Sequence, residues 1–440
     1  MLTIEKRSMT RRAVIFQEDI ADSHWRRSLL FIFLLALVIR VSAVTVFPAV
    51  PVADAADYHR LATGLVERSE YVSTSGAPTA WRPPGYPLFL AGVYRLFGIG
   101  LPAARLAQAV LGSLTVTLIG TLGALVIGRA EGFLSGLLAA VYPGFFWLPR
   151  VLLSENLSLF LLLAALIAAV VVARSNNLVW ALVLGLLLGA GALVRGANLL
   201  VAFLLLAGLI IRLSWRRKHS ARVAGLVAAV IAGILLILTP WSTRNYAVFH
   251  RFVPVATQEG MTLYASYWPP RRGNKLIWGN LPNEGDPVIA AALQAGDEAG
   301  VSQYLRVETL HRLREQPGYF FQVLPAKLIS LAAPFDWEWF PHRQGATRSF
   351  NICYVLIMLP ALLGALALAR RPLPEQWLLW VLPVAVLAQT LIFYGSPRFR
   401  LPAETSALIL VPAGVKWILR VVETRRTKNV PKQAQLDRIT

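Results

Sequence analysis

RRSLLFIFLLALVIRVSAVTVFPAVPVADAADYHRLA, residues 26–62, decides the fold. Two arginines lead into an apolar run over 29–47, whose one charged residue is Arg40, of the length a helix needs to cross about 30 Å of hydrocarbon. Pro48 and Pro51 then end the run, and Asp54 follows, four residues before Tyr58. A carboxylate just outside a span faces water at the bilayer surface, where a substrate with a lipid tail would present its polar head. The residues ahead of the run are Arg-rich and carry no small-residue cleavage site, which predicts a retained helix rather than a removed signal peptide.

Outward from that stretch the same pattern repeats. The 440 residues are 56% hydrophobic and only 15% charged, which excludes a soluble domain of this length. Spans are predicted at about 29–47, 101–127, 131–150, 153–173, 178–194, 197–213, 222–241, 350–369, 376–394 and 401–419. The net charge of +20 is placed beside them, at Lys6, Arg7, Arg11, Arg12, Arg26 and Arg27, at Arg212, Arg216, Arg217 and Lys218, and at Lys416, Arg420, Arg425, Arg426 and Lys428. That placement sets topology and meets anionic head groups, and it gives no reason to expect nucleic acid. Both termini, 1–28 and 420–440, then lie in the cytoplasm.

The organisation expected is an all-α polytopic bundle of about 10–12 transmembrane helices. An N-terminal membrane module covers 29–241 and carries the outer loop 48–100, an extracytoplasmic segment covers 242–349, and the last spans cover 350–419. In the first loop Tyr58, Leu61, Ala62 and Leu65 follow helical spacing, and 86–97 is an apolar segment too short to span, so it lies in the interface. A helix is expected over 301–316, stopped by Pro317, while 320–335, with Lys327, reads as interfacial or re-entrant. One cysteine, Cys353, excludes an intrachain disulfide, and His59, His250, His311 and His342 lack ligand spacing.

The polar residues collect at outward-facing span ends: Asp54, Asp57, Arg82, Glu155, Arg195, Arg244, Asn245, Arg398 and Arg400. Converging guanidinium groups suit a phosphate, and a carboxylate among them suits a general base. Together they describe transfer of a group from a lipid phosphate to an alcohol or amine. Duller roles compete: Asp57 as a helix-end charge, Glu155 as a cap, Arg195 and Arg244 as head-group anchors, and Arg40 snorkelling or paired with a carboxylate.

The ordered motifs DAADY, WRPPGYPLFLAGVYRLFG, LLSEN at 152–156, LVRGANLL at 193–200, TPWSTRNYAVF at 239–249 and YGSPRFRLP at 394–402 resemble glycosyltransferase family 39. These are GT-C-type integral membrane enzymes related to dolichyl-phosphate-mannose–protein mannosyltransferases and the lipid A aminoarabinose transferase. The resemblance implies sugar transfer on the outer face of the cytoplasmic membrane, from a polyprenyl-phosphate-linked monosaccharide to a glycan, lipid or protein. It implies Asp54 as base, Glu155 as a second active-site carboxylate, with Asp57 nearby, and Arg82, Arg398 and Arg400 on the phosphate. Tyr58, Arg195 and Arg244 are counted with the substrate-binding set. A divalent cation, Mg or Mn, is compatible with such a site, and no residue pattern names a metal ligand. The chain departs from its relatives at Ala55, where they carry a second acidic residue. The rival classes are a lipid-linked-sugar flippase or secondary transporter, and a family member that only binds polyprenyl phosphate.

Overall fold

The computed structural model describes residues 22–216, 220–267, 286–332 and 344–428. Lys6, Arg7, Arg11, Arg12, Arg217, Lys218, His342 and the tail beyond 428 lie outside them. Within them the chain is helical throughout, and the one extended pairing is an isolated bridge between Val72 and Pro78. In chain order the helices are α1 (Ser23–Val46), α2 (Asp54–Glu67), α3 (Gly85–Phe97), α4 (Leu101–Val126), α5 (Arg129–Val141), α6 (Pro143–Phe146) and α7 (Glu155–Ser175). They continue as α8 (Leu178–Val194), α9 (Asn198–Arg216), α10 (Ser220–Phe249), α11 (Gln258–Ser266), α12 (Pro287–Leu293) and α13 (Glu298–Glu315). The last are α14 (Gly318–Ala332), α15 (Gln344–Arg370), α16 (Leu378–Ile392) and α17 (Leu401–Lys428).

Among the described residues seven helices are long and apolar enough to cross a membrane: α1, α4, α7, α9, α10, α15 and α17. The segment 129–150 makes an eighth crossing only as a bent pair, turning 61° at Tyr142–Pro143. Proline cannot supply the helical N–H there and pushes Tyr142 into an extended conformation. The apolar helices α8 and α16 are shorter. All ten stretches read from hydropathy are therefore helical, and the chain is a multi-pass membrane protein.

Burial ranks the helices. The apolar window of α7 is 72% buried against 22% for α10 and for α15, so α7 is the hub and those two present their sides to lipid. Ion pairs mark one end of the bundle: Arg129 with Asp22 at 2.7 Å, Lys416 with Glu131 at 2.5 Å, and Arg174 with Glu375 at 3.4 Å. Asp54, Arg82, Glu155, Arg195 and Arg398 gather at the opposite end.

Two expectations for α1 and α10 are corrected. Arg40 neither snorkels nor meets a carboxylate. It is fully buried, and its Nη1 donates to the carbonyls of Ala36 at 3.2 Å and Ala140 at 3.4 Å, the latter close to the break before Pro143. Gly112 makes the space, since a methyl there would lie 3.1 Å from the Arg40 Nε. Arg244 and Asn245 do not follow the seventh span in a loop, because α10 runs through Pro240 to Phe249.

Above the bundle, the loop 68–84 and helices α11 to α13 form a cap. Glu298 opens α13 and accepts from Thr79 Oγ1 at 2.7 Å, from the Ala80 amide and from Thr257 Oγ1 at 3.1 Å, which joins both outer segments. The helix α2 falls where periodicity placed one, α3 covers the short apolar segment 86–97, and α13 covers most of the helix expected over 301–316.

Glycine allows the closest helix contact. At the crossing of α15 and α17 a methyl on Gly414 would overlap the carbonyl of Pro360 and come within 2.8 Å of the Gly364 nitrogen. Small residues let membrane helices approach in this way. Gly414→Val is expected to destabilise the protein by about 1–3 kcal/mol through overpacking, read as a lower Tm in detergent. An unchanged Tm would show that this contact is not tight.

Candidate active site

The site begins where α1 ends. Ala53 has φ 48, a left-handed conformation costly for a residue with a side chain, and this turn starts α2 at Asp54. Asp54 and Asp57 occupy the first turn, where the helix dipole favours anions. Ala55 faces inward and is fully buried beside Tyr58 and Tyr86, so an acid at that position would have no water. The second carboxylate on the exposed face is Asp57.

Arg82 comes to these acids from the loop before Pro83–Pro84, its backbone carbonyl fixed by the Tyr71 hydroxyl at 2.9 Å. Its Nη2 reaches Asp54 at 2.7 Å and Asp57 at 2.9 Å, while Nη1 donates to Gln258 Oε1 at 2.9 Å. From the far end of the chain, Arg398 donates through Nη1 to Asp54 Oδ2 at 2.7 Å. It also forks onto Glu155 through Nε, and through Nη2 at 3.0 Å. Arg195 completes the row with Nη1 at 2.5 Å from Glu155 Oε1, its guanidinium over the Phe399 ring.

Cations and anions thus alternate from Arg82 through Asp54, Arg398 and Glu155 to Arg195. Burial alone would raise the Asp54 carboxyl, but Arg398 and Arg82 outweigh it and hold the group at about 2. Solvent still reaches the row, since 27% of the Asp54 side chain and 15% of Arg398 remain exposed. A phosphate oxygen has the charge and geometry to replace a carboxylate oxygen on either guanidinium.

Three residues expected on the substrate are elsewhere. Arg400 is buried and tied to Glu404 at 2.5 Å, which also accepts from Tyr142 at 2.9 Å, and its guanidinium lies 3.6 Å from the Tyr354 ring. Of the Arg-x-Arg pair only Arg398 enters the site. Arg244 donates to the carbonyls of Thr79 at 2.8 Å and Tyr71 at 3.3 Å, so it braces the cap. Tyr58 is buried beneath Arg82, with its hydroxyl 3.3 Å from Ser154 Oγ. Gln258, the first residue of α11, was not anticipated: a lone glutamine carries no sequence signal. Glu404 had one, four residues after Arg400 on a helix.

The site does not fit a resident Mg or Mn ion as arranged. Such an ion takes oxygens free of other strong donors, yet both oxygens of Asp54 and both of Glu155 accept from guanidinium groups. Among the described residues no group of three His, Cys, Asp or Glu side chains is placed to hold a metal.

The pattern that defines the dolichyl-phosphate-mannose-protein mannosyltransferase family matches residues 81–242, which include Arg82, Glu155 and Arg195. No curated protein sequence matches the chain significantly. Among solved structures it is similar to the oligosaccharyltransferase AglB from Archaeoglobus fulgidus in complex with an inhibitory peptide and a dolichol-phosphate. That likeness has a TM-score of 0.57 at 14% identity and covers 92% of this chain and 52% of that one. The same enzyme with Zn and sulfate gives 0.56 at 15% identity, over 90% and 50%. ArnT from Cupriavidus metallidurans bound to undecaprenyl phosphate gives a weaker 0.45 at 18% identity, over 88% and 77%. The chain spans about half the length of the archaeal enzyme. In fold it is a GT-C-type membrane protein, similar to the part of the oligosaccharyltransferase that it covers and carrying the mannosyltransferase family pattern over residues 81–242.

Proposed function

We propose that the protein transfers a monosaccharide from a polyprenyl-phosphate donor to a hydroxyl or amine on the outer face of the cytoplasmic membrane. The observation that carries this reading is the alternating row, in which Asp54 and Glu155 share Arg398. With Asp57 beside Arg82, the row balances three guanidinium groups with three carboxylates. The donor phosphodiester, its tail left in hydrocarbon, competes with Asp54 for Arg82 and Arg398.

That exchange does two things. It seats the phosphate between two guanidinium groups, and it releases the Asp54 carboxylate from the charges that hold it a weak base. Asp54 then takes the proton of the acceptor as the acceptor oxygen or nitrogen attacks the anomeric carbon from the face opposite the phosphate. The bond from the anomeric carbon to the phosphate oxygen breaks, its electron pair stays on the phosphate, and the configuration inverts. Arg82 and Arg398 stabilise the second negative charge on the leaving polyprenyl phosphate. Glu155, held by Arg195, keeps Arg398 in place, and Asp57 does the same for Arg82. Placement of the ionisable row at span ends rather than at mid-bilayer favours an enzyme over a transporter.

The test is incubation of the purified protein with radiolabelled polyprenyl-phosphate sugar and membrane extract. Label passing to a new product supports the proposal, and label carried across vesicles unchanged would replace it with a flippase. Asp54→Asn is expected to lower transfer by about 10²–10⁴-fold while the protein still binds donor. Turnover like that of the native protein would remove Asp54 from the role. Arg398→Ala is expected to raise the barrier by about 2–4 kcal/mol, measured as the loss in kcat/KM for donor. A loss confined to acceptor KM would contradict phosphate binding by Arg398.

Acidity offers an independent check. The depressed carboxyl of Asp54 adds stability that is complete above the ordinary carboxyl range and is lost as pH falls toward about 2. Asp54→Asn is therefore expected to show a shallower fall of Tm between about pH 4 and 2 than the native protein. Equal slopes would mean that the ion pairs do not hold Asp54.

A further inference from the structure

One carboxylate near the row is paired with none of the row's arginines. Glu259 is the second residue of α11, and its side chain is exposed and makes no hydrogen bond or ion pair with any described residue. Its place is nonetheless fixed. Gln258, the residue before it, accepts from Arg82, the guanidinium that holds Asp54. Glu259 Oε1 itself lies against Gly196, so closely that a methyl there would overlap it, and Gly196 adjoins Arg195, which holds Glu155. The start of α11 therefore bridges the two ends of the row.

We propose that Glu259 receives the acceptor, taking a hydrogen bond from the hydroxyl or amine that will attack the sugar and turning it toward the carbon held at Arg82 and Arg398. The inference rests on the transfer reaction proposed above and adds the acceptor side to it. Both oxygens of Asp54 and of Glu155 accept from arginine and Asp57 holds Arg82 through Oδ2, so among the described residues Glu259 is the acid near the row that accepts no hydrogen bond. An ionised carboxylate only accepts hydrogen bonds. The matching acceptor group is accordingly neutral or cationic and rich in O–H or N–H, and one with a phosphate or carboxylate beside its nucleophile is repelled. The division is chemically sensible: guanidinium groups select the anionic donor, and a lone carboxylate selects an acceptor that is not anionic.

The electrostatic surroundings agree with this geometry. Neighbouring protein raises the Glu259 carboxyl above its usual range, and Arg306 offsets that only in part. Asp54 is shifted the opposite way. A carboxylate poorly satisfied by its own protein binds an incoming donor more strongly.

The experiment uses the full chain in nanodiscs, with radiolabelled polyprenyl-phosphate sugar as donor and graded amounts of membrane extract as acceptor source. Glu259→Gln is expected to raise the extract needed for half-maximal transfer by about tenfold or more, the effect of losing one hydrogen bond to a charged group. Binding of polyprenyl phosphate should stay within about twofold of the native protein, because the donor groups are untouched. Glu259→Asp should restore part of the loss. Gly196→Ala, which displaces the carboxylate without changing charge, should raise the acceptor requirement as well. A Glu259→Gln protein with the native acceptor dependence would overturn the inference, and so would a loss that appears in donor binding instead. If Glu259→Gln does not fold, the Gly196→Ala titration decides alone, and native behaviour there refutes the role. A native protein that transfers no label under any condition would instead refute the transfer reaction, and with it this role.

Discussion

The guanidinium of Arg398, forked between Asp54 and Glu155, is the interaction on which the rest depends. It joins the two ends of the chain, 344 residues apart in sequence for Asp54 and 243 for Glu155. A charge placed this deep at the top of a membrane bundle is costly unless it is paired and its hydrogen bonds are met. Here each carboxylate oxygen is met by an arginine, and Arg195 and Arg82 close the row at either end. The fold exists around that requirement. The seventh helix must bring Glu155 to the hub, and the turn at Ala53 must point Asp54 inward.

The same row explains why the cap is braced so heavily. Arg82 lies in a loop with no regular structure of its own, so its position depends on what holds the loop. Tyr71 fixes its carbonyl, Arg244 fixes the carbonyls of Tyr71 and Thr79, and Glu298 fastens Thr79 and Ala80 to the second outer segment. Buried Tyr58 supplies the floor beneath the guanidinium. None of these residues need touch a substrate to matter, because a loosely placed cation contributes little to a transition state.

Much of this was legible in the sequence because hydropathy and helix periodicity are local signals. The ten apolar stretches and the amphipathic spacing after Asp54 needed no partner to be recognised. What failed was the direction of side chains relative to distant helices. Arg398 and Arg400 stand two residues apart at the start of a helix, so they point to different sides, one to Asp54 and the other to Glu404. Arg244 was placed beyond the seventh span because the apolar run ends near 241, yet α10 continues through Pro240 to Phe249. Arg40 found backbone carbonyls at a helix break, an environment that composition does not reveal. Gln258 and Glu259 were invisible because their meaning comes only from the cap lying over the row.

The central claim is that the donor phosphate and Asp54 compete for the same guanidinium groups. A structure of the protein with polyprenyl phosphate bound in a lipid nanodisc tests it most directly, through the distance between Arg398 Nη1 and Asp54 Oδ2. That contact is 2.7 Å in this structure. With polyprenyl phosphate bound it is expected to lengthen beyond hydrogen-bond reach, with a phosphate oxygen taking the place of the carboxylate. Phosphate bound elsewhere, with the Asp54–Arg398 pair intact, would contradict it.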